Sequence, residues 1–171
     1  MVDSVELLFD TETEAALRRI WDDLSAEGLP SQASHRSASN RPHVTLTAAG
    51  RLAEAATVAL RPALTQLPLN CLIGAPMLFG GRILVRLVVP SAQLLALQAQ
   101  VHRICLPHML DIPLPHVEPG NWTPHVTLAR RIAPDQLPTA LALPRLGRDI
   151  RGRLTGLRHW DGTAKVVHPI S

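Results

Sequence analysis

The sequence predicts an α+β fold of two related lobes about a pseudo-two-fold axis, and three observations predict it. The pentapeptide Pro-His-Val-Thr-Leu occurs twice, in "RPHVTLTAAG" from Arg41 and in "WTPHVTLARR" from Trp122, so that His43 and His125 lie 82 positions apart. The segments around each copy follow one order: strand, helix, Ser- or Pro-rich loop, HVTL strand, helix, strand. Hydrophobic residues make up 46% of the 171, enough for a sizeable core in one domain. The expectation is therefore a single domain over 1–171, made of approximate repeats 4–80 and 82–160 with a final strand near 164–170.

Each element has its own signal. "SVELLFD" (Ser4–Asp10) reads as a short strand opening the first repeat. "TETEAALRRIWDDLSAEG" reads as a helix, with Thr11 and Glu14 in capping-box spacing and Ala16, Ile20 and Leu24 on one stripe beside Leu17 and Trp21. Gly28 and Pro30 stop it, and a polar Ser-rich loop leads into the first HVTL strand. "LAEAATVALRPALTQ" predicts a helix interrupted near Pro62, and "LNCLIGAPML" and "RILVRLVVP" predict strands joined through "FGG". Ser91 caps the best helical segment, where Leu94, Leu97, Val101 and Ile104 recur at helical spacing. A Pro-rich loop delivers the second HVTL strand. "DQLPTALAL" predicts a short helix, "IRGRLTGLRHW" a strand, and Asp161-Gly162 a hairpin turn into "TAKVVHPI".

Composition limits the function classes. The formal charge is +3 and the pI near 9.6, with sixteen Arg against one Lys, which suits an anionic ligand without demanding one. Two cysteines without a paired motif, and an N-terminus without a secretory signal or membrane-length apolar run, point to a reducing, cytoplasmic setting. There is no G-x-S-x-G elbow and no glycine-rich phosphate loop. His102, Cys105 and His108 are spaced three apart, but Pro107 breaks the helix before His108, and His116 with Glu118 falls in a loop; no metal site is expected. No carboxylate is expected beside either HVTL motif, which argues against a two-metal centre.

On a strand, residues two apart share a face. His43, Thr45 and Thr47 are thus expected to point one way, with Val44 and Leu46 opposite; His125 and Thr127 share a face against Val126 and Leu128, and Arg130 is expected to point away from them. Each strand then presents an imidazole and a hydroxyl roughly 7 Å apart. If the axis runs through a cleft, two imidazoles titrating near neutral pH and two hydroxyl donors converge on one volume. Such a set can hold an oxyanion and supply acid and base on opposite sides of it, which suits in-line displacement at phosphorus.

With these two H-x-T motifs, each led by Pro, and with "FGGRILVRLVV" and the helix from Ser91, the chain resembles the 2H phosphoesterase superfamily. It looks most like the bacterial branch of 2′-5′ RNA ligases and RNA 2′,3′-cyclic phosphodiesterases, over nearly its whole length. The resemblance implies a bilobal α+β fold with two antiparallel-rich sheets lining a central cleft and helices outside. It implies His43 and His125 as the acid/base pair and Thr45 and Thr127 as phosphate holders, without cofactor or metal. The implied reaction opens 2′,3′-cyclic phosphates on RNA ends or small nucleotides, and some members of the family join RNA ends through 2′-5′ bonds in reverse; a monomer, without membrane or obligate protein partner, is the default expectation. The other reading is a non-catalytic module that binds an AMP-like nucleotide in the same cleft. Phe79, Trp122 and Arg41 are candidate substrate contacts; each aromatic could stack a base or pack in the core. The Arg145, Arg148, Arg151, Arg153 and Arg158 series either tracks phosphates or forms a solvated face.

Overall fold

Alternation in "DSVELLF" makes β1 over Asp3–Phe9, and Asp10 follows it as the N-cap of α1 (Thr11–Ala26), its carboxylate accepting the Thr13 N–H at 2.8 Å. The cap is therefore Asp10 and not the expected Thr11, because an Asp one residue earlier accepts from the first turn while keeping its own backbone extended. The computed structural model describes residues 2–171. After the Ser-rich loop come β2 (His43–Ala49), α2 (Ala55–Ala59), a 3-10 turn at Arg61–Gln66 where Pro62 interrupts the helix, and β3 (Leu69–Phe79). Gly80 and Gly81, at φ 53° and 71°, make the tight hairpin into β4 (Ile83–Val88), since both turn positions need positive φ. Then follow α3 (Ala92–Cys105), β5 (His125–Arg130), α4 (Leu137–Leu141), β6 (Ile150–Asp161) and β7 (Val166–Ile170). Ser91 caps α3 as its sequence position predicts.

All pairings are antiparallel, in the order β2-β1-β6-β3-β4-β5, with β7 added to β6. The expected antiparallel-rich sheets are two arms of one continuous sheet. The twelve residues of β6 join them: Ile150–Leu154 pairs with β3, while Leu154–Trp160 pairs with β1 and Leu157–Asp161 with β7. A strand that long spans both arms, so no edge separates them.

Each long helix covers the HVTL strand that lies farther from it along the chain. Ile20, Trp21 and Leu24 of α1 pack with Leu84, Leu128 and Ala129, whereas Leu94, Leu97 and Val101 of α3 pack with Val44 and Leu46. Helices thus lie on the outer face, and β2 and β5, at the two ends of the strand order, touch each other. Among the described residues no helix is long and apolar enough to cross a membrane.

Candidate active site

The two HVTL strands begin alike. Pro42 and Pro124 have no N–H to give a ladder, so each strand starts at the His that follows. His43 Nδ1 donates to the Arg41 carbonyl at 2.7 Å, and His125 Nδ1 donates to the Thr123 carbonyl at 2.7 Å. A carbonyl can only accept, so both rings carry the proton on Nδ1 when neutral and keep Nε2 for chemistry. Both contacts reach two residues back across a proline, which is a reason for the Pro before each His.

Both strands also carry a bulge at the same place. On β2 the register jumps from Thr45 to Thr47 while β1 advances one residue; on β5 it jumps from Thr127 to Ala129 while β4 advances one. A bulge puts two successive side chains on one side and reverses the alternation after it. Two sequence expectations are corrected by this. Thr47 points away from His43 into the core, bonded to His102 Nδ1 at 2.9 Å. Arg130, expected to point away, lines the same cleft as Thr127.

That cleft, of about 520 Å³, is walled by His43, Thr45 and Thr127 together with Glu6, Arg130 and Trp160. His125 is not among the residues that line it; its ring is edge-on to Phe79 at 4.7 Å and 80°. It is close enough to His43 for their charges to repel: burial pushes the His125 imidazole below its ordinary pKa, the Thr123 bond opposes, and His43 and Arg130 add to the fall. Loss of the proton is therefore easier at His125 than in a free imidazole.

The expectation that no carboxylate lies near a motif is also corrected. Glu6, in mid-β1, is 4% exposed and puts Oε1 at 3.5 Å from His43 Nε2. Its charge is matched by the buried Arg158, whose Nε donates to Glu6 Oε2 at 2.7 Å, and Ser4 Oγ donates to Oε1. Arg158 also donates to the Ser39 carbonyl, tying the loop before β2 to the cleft wall. Sequence reasoning missed Glu6 and Trp160. The signals were a Glu inside the apolar "SVELLFD", and Arg158 and Trp160 two apart on one strand face.

The remaining predicted residues divide. Arg41 lies on the rim, donating to Glu14 Oε2 at 2.9 Å; burial opposes, but the bonds from Arg41 and Arg18 hold the Glu14 carboxyl below its usual range. Trp122 is not in the cleft wall: it packs on the core and its indole N–H bonds the Thr45 carbonyl at 2.9 Å. On the other strand Trp21 donates to the Thr127 carbonyl at 3.1 Å. Of the arginine series, Arg158 alone is in the cleft, while Arg145 pairs with Asp23 and Arg153 with Asp10. Cys105 is buried in the core, His102 is bonded to Thr47, and the described residues hold no group of three or more His, Cys, Asp or Glu suited to a metal.

A model of the 2′-5′ RNA ligase superfamily matches residues 9–163. Among solved structures the chain is similar to Escherichia coli LigT complexed with 3′-AMP, at 14% identity and TM-score 0.59 over 99% of this chain and 94% of that one. It is similar to TT0787 of Thermus thermophilus, at 17% identity and TM-score 0.56 over 100% and 96%. It is also similar to Kluyveromyces marxianus Usb1 with uridine monophosphate, at 15% identity and TM-score 0.52 over 98% and 97%. Among curated protein sequences nothing matches.

Proposed function

The chain belongs to the 2′-5′ RNA ligase superfamily, and within it we propose that this protein is a cyclic phosphodiesterase that opens 2′,3′-cyclic phosphates on RNA ends or nucleotides. The observation that carries the reading is the matched pair of Nδ1–H bonds, to Arg41 and to Thr123, which leaves the two Nε2 atoms as the rings' remaining nitrogens, with Thr45 and Thr127 lining the cleft. Nucleoside monophosphates in the LigT and Usb1 structures suit a cleft of this kind.

The cyclic phosphate sits between Thr45 and Thr127, whose hydroxyls donate to its oxygens. His125, whose proton burial disfavours, takes a proton from water as the water oxygen bonds phosphorus. The phosphorus–oxygen bond to one ribose oxygen breaks, and His43 Nε2–H protonates that oxygen. Glu6 Oε1 lies 3.5 Å from that Nε2. Arg130 adds positive charge where the phosphorane forms. With the 5′-hydroxyl of a second RNA end in place of water, the same attack breaks the phosphorus–O3′ bond, the O3′ is protonated as it leaves, and a 2′-5′ bond forms. The two imidazoles and two hydroxyls supply acid, base and donors, so the reaction calls for no metal.

The test is phosphorus NMR of the protein with a nucleoside 2′,3′-cyclic phosphate in excess EDTA. Replacement of the cyclic resonance by a monoester signal is expected, and the product shift tells which ribose oxygen keeps the phosphate. Persistence of the resonance with a mononucleotide and with an oligonucleotide bearing the same end overturns the reading and leaves a nucleotide-binding module.

A further inference from the structure

A second cavity, of about 500 Å³, opens on the face of β1, β6 and β7 next to the cleft. The two are contiguous, because Ser39, Arg41 and Arg158 line both. Leu8, Leu157 and Val167 give it apolar lining, Ser37 and Ser39 give it hydroxyls, and Lys165 lines it too. No carboxylate lines it among the described residues. Arg41 and Arg158 already serve Glu14 and Glu6, so the uncommitted charge is Lys165, exposed and with no Asp or Glu within 4.0 Å among the described residues. It is the one lysine in the chain. The β6–β7 turn sets its backbone at φ 57°, and Asp161 Oδ1 is occupied by the N–H groups of Thr163 and Ala164.

An apolar lining beside hydroxyls and an isolated cation is what one nucleotide needs, with ribose and base against the lining and phosphate at the cation. We infer that this cavity is a subsite for the nucleotide on the 5′ side of the reacting end, with its phosphodiester at Lys165, so that an oligonucleotide end is turned over in preference to a mononucleotide. The inference rests on the cyclic phosphodiesterase reading of the adjoining cleft.

The experiment compares kcat/KM for a trinucleotide ending in a 2′,3′-cyclic phosphate with that for the matching nucleoside 2′,3′-cyclic phosphate. It does so in the native protein and in Lys165→Asn, a residue at ease with positive φ, with Lys165→Glu as the second variant. The native protein should favour the trinucleotide, and each variant should lower the ratio of the two constants, by about fivefold for loss of one exposed charge contact. The salt dependence of the trinucleotide KM should also flatten by about 0.7 in log–log slope, the share of one single-strand phosphate. Equal constants for both substrates, or a trinucleotide preference unchanged in both variants, overturns the subsite while the cyclic phosphodiesterase reading stands. Turnover of neither substrate overturns both.

Discussion

His43 and His125 share a ring orientation but not an environment, and chemistry at this site follows from the difference. His43 has a buried carboxylate 3.5 Å from its Nε2; His125 has a phenyl edge, Arg130 and the other imidazole. His43→Ala or His125→Ala should abolish turnover of a cyclic nucleotide with the fold intact by circular dichroism; near-normal rate in either variant removes that ring from the mechanism. Thr45→Val or Thr127→Val should lower kcat by about 10²–10³, the usual effect of losing one oxyanion donor. The pH profile follows from His125. A base must be neutral, and a lowered pKa keeps His125 neutral to lower pH, so the acidic limb of kcat/KM should lie below the ordinary imidazole value of about 6.5. Phe79→Ala admits water to the ring, relieves the desolvation, and should move that limb upward; a limb that stays fixed or moves down separates it from His125.

The strands turn on three small features: the paired bulges, the prolines before each His, and the pairing of β3 with the first half of β6. In that pairing Cys71 lies opposite Gly152, and a Cβ added at Gly152 would lie 2.0 Å from Thr13 Oγ1 and 2.9 Å from Thr13 Cβ. Rotating the Thr13 side chain moves its hydroxyl but not its Cβ, so α1 itself would have to shift. Gly152→Ala should therefore destabilise the protein by about 1–3 kcal/mol in urea unfolding; an unchanged midpoint would mean that the first turn of α1 yields freely. Much of this level was legible in the letters. The repeated pentapeptide gave both site strands, Ser91 gave the start of α3, and Gly80-Gly81 gave a hairpin. What alternation could not give was Thr47 in the core and Arg130 in the cleft, because a bulge inserts a residue without any mark in a run such as "HVTLT". Nor could it give Glu6 beside His43, a contact made across neighbouring strands whose register only the fold sets.

Across the whole molecule, the site exists because the two ends of the strand order meet. Sequence showed two copies of one motif; it could not show that α1 covers β5 and α3 covers β2, since those contacts are long-range and set by the tertiary fold. Two indoles secure the closure from opposite sides, Trp21 on the Thr127 carbonyl and Trp122 on the Thr45 carbonyl, reaching 106 and 77 positions along the chain. These carbonyls belong to the two threonines proposed to hold the phosphate, so their position bears on the separation of the two hydroxyls. Trp122→Phe keeps most of the ring packing and removes the N–H, leaving the Thr45 carbonyl without its indole partner, a loss of about 1–3 kcal/mol. Because the change falls on the backbone of β2 and not on a reacting group, the expected signature is a lowered Tm with a lowered kcat and an unmoved pH profile. Trp21→Phe should give the same pair of losses through Thr127. If either variant loses stability yet retains full kcat, the indoles hold the fold without setting the site, and the hydroxyl separation must come from the sheet alone.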